Sequence, residues 1–254
     1  MRTLIGFRAL VWREIIRFTS VFTQTIFPPI VLGCLYIYIF GFSLGAQLDT
    51  IQGIPYLKFL IPGLLMMYVI DSSYQNTASS LFISRWANNI EELLVTPLSY
   101  FEMVIAMLIG GLVRSLVTST GVYLVSLLFV QFPIAHPAVV LYFLVFVSLT
   151  FSSVGMSVAL FAEEFEHLTL ATTFIITPMI FLGGVFHSVT MVPEALRWLS
   201  GFNPMFYMVN GMRYGMLGTS DIPIGQAMIV VLVLFLSFFL GNVYLFKIGF
   251  KLRK

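Results

Sequence analysis

The sequence predicts an all-α membrane protein with six transmembrane helices. An N-terminal amphipathic interfacial helix precedes them, and two short re-entrant helices in the outer leaflet come before the sixth span. Three observations carry that prediction. Of 254 residues, 59% are hydrophobic and only 9% charged, against about 25% charged in an ordinary soluble domain. Such a chain cannot cover itself with a polar surface. Six apolar runs, at 22–44, 58–83, 100–130, 138–162, 168–187 and 226–247, are long enough to cross about 30 Å of hydrocarbon as helices. The runs are continuous, whereas barrel strands would alternate.

The order of elements begins with residues 1–20. On a helical projection Arg2, Arg13 and Arg17 share a narrow arc, opposite Leu4, Phe7, Val11, Ile15 and Phe18. This pattern predicts a helix lying in the cytoplasmic interface, its arginines toward lipid phosphates or a partner, with Arg8 snorkelling from the apolar side. Arg8, Arg13, Glu14 and Arg17 interrupt any apolar core of a secretory signal. With both termini inside, the cytoplasmic face carries nine basic residues: Arg2, Arg8, Arg13, Arg17, Arg85, Lys247, Lys251, Arg253 and Lys254. The outer face carries Lys58, Arg197 and Arg213, and this asymmetry sets the orientation. No linker or repeat divides the chain, which reads as a single domain over residues 1–254.

Between the second and third spans lies "RWANNIEELLVTPLSYFEM", Arg85 to Met103. Trp86, Ile90, Leu93 and Leu94 fall at i, i+4, i+7 and i+8, one face of a helix spanning about 86–97. Asn88 or Asn89 is expected to cap its start, with Glu91 or Glu92 closing the box three residues later. Pro97 disfavours helical geometry at Thr96 and should end the helix. Ser99 and Glu102 then form a capping box for the third span. A short rigid helix across the mouth of two spans is placed to act as a lever for a docked partner. A second acidic turn, "AEEFEH", brings Glu163, Glu164 and Glu166 to the same side.

Near the outer face, "SVTMVPEALRWLSGFNPMFYMVNGMRYGMLGTSDIPIG" is too apolar for a free loop and too broken for a span. Pro193 suits a helix start, and Asn203-Pro204 restarts the chain into a second helix from Met205 to Leu217. Gly41-x-x-x-Gly45 and Gly211-x-x-x-Gly215 are candidate close-packing sites.

Asp71 and Arg114 lie near the middle of the second and third spans, where an ionisable group is costly. Counting from the intervening connection puts them at similar depth, which suggests an ion pair that a charge swap would preserve. Such a pair would either contact cargo or only fix helix packing. Ser72, Gln75 and Asn76 give the second span a polar face, and Thr173 and Thr177 do so for the fifth. These residues are candidates for lining a path, although a face buried against neighbouring helices would look the same.

Catalysis finds no support. His136, His167 and His187 are far apart, and Cys34 is the one cysteine, so no metal set is expected. "GMSVA", from Gly155, lacks the final glycine of a nucleophile elbow. The chain carries no G-x-x-x-x-G-K-[ST] phosphate loop.

Taken together, the basic N-terminus, the six spans, "NNIEELLVTPLS" and "FNPMFYMVNGMRY" resemble the permeases of type-2 ATP-binding-cassette export systems, closest to the bacterial drug and polysaccharide branch. The resemblance covers essentially the whole chain. It implies a permease in the bacterial inner membrane that exports an amphiphilic drug, glycan or lipid-linked molecule. It further implies a dimer with a second copy, and two copies of a separate ATPase that bind ATP and Mg. The permease itself would hold no cofactor and bind membrane lipid but no nucleic acid. By position, the coupling residues would be Trp86, Asn89, Ile90, Glu91, Glu92, Leu93, Leu94, Thr96 and Pro97, and Glu163, Glu164 and Glu166 would add a second contact. The alternatives are a self-contained secondary transporter or channel, which would usually carry broken central helices and an ion relay, and an intramembrane enzyme acting on lipids.

Overall fold

The computed structural model describes residues 2–44, 50, 51, 53–131 and 133–252, with the side chains of 2, 42–44, 190, 195 and 196 excepted. Gly45 of one expected close-packing pair, and Arg253 and Lys254, lie outside the described residues.

The fold is a bundle of helices. Helix α1 is Arg2–Thr19, α2 Phe22–Thr25 and α3 Phe27–Tyr38, with a π-helical continuation at Ile39–Leu44. The expected first span is therefore interrupted at Ile26, just before Pro28 and Pro29. Neither proline can donate a backbone N–H, so the helix restarts there and does not run through. A two-stranded antiparallel hairpin follows, β1 at Thr50–Ile51 and β2 at Ile54–Pro55, with Gly53 at positive φ in its turn. Nothing in the apolar pattern foretold it. Then come α4 (Tyr56–Trp86), α5 (Ile90–Val95), α6 (Tyr100–Ser126), α7 (Pro137–Phe161), α8 (Glu166–Ala171), α9 (Thr177–Leu182), α10 (Glu194–Phe202), α11 (Pro204–Leu217) and α12 (Ile224–Lys247).

Among the described residues, four segments are long and apolar enough to cross a membrane: Phe22–Gly41, Tyr100–Ser126, Pro137–Phe161 and Ile224–Lys247. The other two expected spans depart from that standard in different ways. Helix α4 is 31 residues long but too polar along part of its length to qualify. Its Ser72, Ser73, Asn76, Thr77 and Ser80 are all buried, so protein rather than lipid covers them. The expected fifth span is a shorter apolar helix, Glu166–Leu182, with a π-helical turn at Thr172–Ile176 just ahead of Pro178. A wide turn there accommodates a ring that would clash in a regular helix. It stops at Leu182 rather than at 187, because Gly183 closes it and Gly184 takes φ 87°.

Helix α4 is the hub. It packs most heavily on α7, next on α6, and also on α11. Gly155 of α7 makes the first contact possible: a Cβ there would stand 2.5 Å from the Tyr74 carbonyl oxygen of α4. Gly155→Leu is therefore expected to force the two helices apart and cost about 2–3 kcal/mol. The thermal midpoint of the purified chain in detergent would read this loss, and an unchanged midpoint would refute it. Small hydroxyls and amides join the helices elsewhere. Ser115 and Ser148 share a 2.6 Å hydrogen bond, and Asn242 of α12 donates to the Ser153 carbonyl at 2.7 Å. Interhelical bonds of this kind hold apolar bundles together where hydrophobic burial gives no net drive.

The Asn203 restart forms as expected. Its side chain accepts from Met205 N–H at 3.0 Å and donates to the Met179 carbonyl at 2.7 Å, and Pro204 occupies the first turn of α11. The Gly211/Gly215 pair lies against Phe143 and Val140 of α7. Arg213, counted above only as an outer charge, is buried within the protein. It donates to the Gly184 carbonyl at 2.7 Å, lies 3.8 Å over the Phe59 ring, and stands 3.9 Å from Asp221.

Helix α1 departs most from expectation. It packs against α6, and its Glu14 is 0% exposed. Gly110 of α6 admits it, since a Cβ there would stand 2.6 Å from the Glu14 Cβ. Arg13 and Arg17 both pair with Glu14, at 2.9 and 3.5 Å. Arg17 then reaches α4, donating to the Asn76 carbonyl at 2.7 Å and to its side-chain oxygen at 2.9 Å. Burial lowers the Arg17 pKa, and the nearby Glu14 carboxylate opposes that shift. Arg17 thus turns mainly into the bundle, while Arg13 keeps an exposed side chain. A helical projection gives the arc that residues share but not what faces that arc.

Candidate functional site

The sharpest concentration of sequence-predicted residues lies on the face holding α5, the 162–166 turn and the segment after α12. Helix α4 ends at Trp86, and the chain reverses through Asn88 at φ 58°. Asn88 is thus the left-handed residue that terminates α4, a conformation asparagine tolerates better than most residues. The expected asparagine cap of α5 does not form: Asn89 sits at the cap position with no side-chain hydrogen bond to the helix. The stop at the other end is as expected. Thr96 is extended at φ −67°, ψ 152°, and its hydroxyl donates to the Leu93 carbonyl at 2.6 Å before Pro97. Ser99 and Glu102 complete their box, with the Ser99 side chain accepting from Glu102 N–H at 3.2 Å and the carboxylate from Ser99 N–H at 2.8 Å.

The stripe on α5 divides. Ile90 and Leu93 are 2% and 6% exposed and belong to the core. Both were expected to face a partner, and the structure turns them inward. Leu94 is half-buried, and Glu91 and Glu92 are exposed. Trp86 and Val95 project furthest, at 70% and 86% exposure. Val95 was absent from the expected contact residues, because an apolar stripe alone does not separate the core side from the outward side.

Beside α5 lies a cleft of about 300 Å³ bounded by Phe82, Arg85, Trp86, Glu91, Glu163 and Lys251. A second hollow of about 530 Å³ shares Phe82, Trp86 and Glu163 and adds Glu164, Phe165 and Glu166. The two acidic segments, about seventy positions apart in sequence, thus form one continuous surface around Trp86. Arg85 fixes its back wall. One guanidinium nitrogen donates to the Ala159 carbonyl and, at 3.2 Å, to Ala162, while Nε donates to Lys251 O at 2.8 Å. These bonds serve the orphan carbonyls at the end of α7. Lys251 in turn lies 3.3 Å from Glu163.

The intramembrane candidates separate as well. Among the described residues no ion pair joins Asp71 to Arg114. Asp71 accepts instead from Gln75, one turn along, at 3.0 Å, and Arg114 is buried with its Nε unpartnered. The two charges nevertheless lie near enough to act on each other, without the close contact that similar depth suggested. Ser72 and Asn76 are buried within the bundle and do not face open space. Gln75 and Thr173 do meet, in a narrow polar groove with Ser79, Thr169 and Thr172, while Thr177 is not part of its lining. Among the described residues no cluster of His, Cys, Asp or Glu has the makings of a metal site.

The arrangement is a polar-cored helical bundle with an exposed short helix beside an acidic turn. The chain matches the ABC-2 type transporter family over residues 5–217 and belongs to it. It is a transporter component and a multi-pass membrane protein. It is similar to the inner membrane transport permease YadH of Escherichia coli K12, at 38% identity over 91% of this chain and 90% of that protein. It also resembles nodulation protein J of Sinorhizobium fredii, 29% identical over 70% of this chain and 68% of the relative, and nodulation protein J of Rhizobium leguminosarum, 25% identical over 72% and 71%.

Proposed function

We propose that this chain is the permease subunit of an ATP-driven exporter of the bacterial inner membrane. It works as a dimer with a second copy, coupled to two copies of a separate ATPase that carries the ATP and Mg. In this reading α4 and the Glu166–Leu182 segment complete six spans, both termini are cytoplasmic, and α10 with α11 re-enters the outer leaflet. The observation that supports it best is the joint surface of α5 and the 163–166 turn, where the exposed Trp86 stands beside Glu91, Glu163, Glu164 and Glu166, with Glu92 and Val95 also exposed on α5. A partner with an apolar socket and a basic rim fits this surface, since complementary charge steers and registers such an interface. ATP binding would draw the two ATPases together and push on α5 from below. The cargo is an amphiphile passing between the two permeases, along the groove of Gln75 and Thr173.

The test is purification of the native complex in mild detergent. A stoichiometric ATPase whose activity depends on this chain is the expected result. Robust transport by the chain alone in liposomes would overturn the reading in favour of a self-contained carrier. Within the same preparation, a Glu163→Lys, Glu164→Lys, Glu166→Lys triple variant is expected to weaken ATPase association at least about tenfold, because like charges across an interface cost several kcal/mol. Co-purification yield at low and high salt reads this directly, and an unchanged yield would remove the acidic turn from the interface.

A further inference from the structure

On the other side of α4 from the cleft lies a hollow of about 410 Å³ bounded by Arg13, Ile16, Arg17, Ser80, Ile83, Ser84 and Asn89. No carboxylate lines it. Glu14 lies behind it, buried and already engaged by both arginines, so the two guanidinium groups keep one net positive charge. The polar groups around it have capacity to spare. Arg17 is already engaged, its Nε turned to the Glu14 carboxylate and its other nitrogens donating to Ser79 and Asn76, whereas Arg13 bonds only Glu14 among the described residues and keeps an exposed side chain. The side chains of Ser80, Ser84 and Asn89 have no hydrogen-bond partner among the described residues. Ile16 and Ile83, both exposed, give the hollow an apolar rim. Basic donors and free hydroxyls facing a common space, beside apolar side chains at a helix suited to the membrane surface, form a receptor for an anionic head and a hydrocarbon tail.

We propose that this hollow binds the phosphate group of an anionic amphiphile at the cytoplasmic membrane surface. Arg13 holds the phosphate oxygens, with the engaged Arg17 beside it adding positive field, Ser80, Ser84 and Asn89 complete their hydrogen bonds, and the acyl chain leaves past Ile16 and Ile83. The site tethers α1 to the start of α5 through a ligand, because its walls come from α1, α4 and the α4–α5 turn. It does not rest on the ATPase reading and is tested without an ATPase.

The experiment uses the full-length chain purified in a neutral detergent, with tail-labelled phosphatidylglycerol as probe and fluorescence anisotropy as readout. Phosphatidylglycerol is expected to bind at least about tenfold more tightly than phosphatidylcholine of the same tails, the weight of one charge-assisted hydrogen bond. Arg13→Ala is expected to remove that preference, and Asn89→Ala, outside any regular helix, to weaken binding a few-fold without disturbing the bundle. Displacement of the probe by millimolar inorganic phosphate supports the oxyanion site and admits free phosphate as a ligand. Displacement by lipid alone supports the same site and makes the headgroup its source. Equal affinity for the two lipids, or wild-type affinity in both variants, would overturn the proposal.

Discussion

Val95→Asp is expected to abolish transport while the chain remains folded and membrane-inserted, whereas Leu93→Asp, two positions away, is expected to remove the folded chain itself. The difference lies in which way the side chains face. Val95 is almost wholly exposed, and a surface substitution of this kind changes stability by about 0.5 kcal/mol or less. In the proposed complex its cost would fall on an apolar socket of the partner, where an unpaired carboxylate must be desolvated. Leu93 packs in the core, so a carboxylate there is buried without a partner and costs several kcal/mol, a large share of any domain's stability. Membrane abundance and detergent melting separate the two variants, and ATPase co-purification with cargo uptake in vesicles completes the comparison. Transport that survives Val95→Asp together with Trp86→Asp would reduce α5 to a passive turn.

Glu14→Ala is expected to lower the stability of the chain by about 3 kcal/mol, because breaking a buried ion pair leaves its partner charge uncompensated. The carboxylate is buried and holds both Arg13 and Arg17, and Arg17 anchors α1 to Asn76 of α4. Glu14→Gln keeps an acceptor and should recover part of the loss, which distinguishes a polar anchor from simple loss of packing. A melting midpoint unchanged in Glu14→Ala would show that α1 is held by its apolar contacts alone.

Local chemistry was legible in the sequence wherever it needed no knowledge of a neighbour. The Pro97 stop, the Ser99–Glu102 box and the Asn203–Pro204 restart depend on residues within a few positions of one another, and each forms. The positions of the apolar runs were legible for the same reason, since length and composition alone fix them. What failed was azimuth. Ile90 and Leu93 share a stripe with Trp86 and Leu94, but in an apolar chain a stripe faces core, lipid or partner with equal grammar. Asp71 and Arg114 lie near enough for their charges to interact, yet depth alone does not show that Asp71 bonds Gln75 and that the pair stops short of contact. Arg17 lies on the polar arc of the projection, which does not show that Glu14 and Asn76 draw it toward the bundle. The gathering of Glu91 and the 163–166 turn around one cleft was legible only as a common side of the membrane, and the contribution of Lys251 was not legible at all.

Arg85 has a mechanical consequence. It leaves α4 at its last turn and grips the final carbonyls of α7, and higher in the bundle Gly155 brings the backbones of the same two helices together. Joined at the base and interlocked along their length, α4 and α7 have no room to slide past each other. In the proposed complex, a push on the crossbar would therefore turn the pair as one rod rather than be absorbed as shear between them. The compliance of the subunit lies at its other seams, and the π-helical turn at Thr172–Ile176, beside the polar groove, is the joint about which such a rod would open.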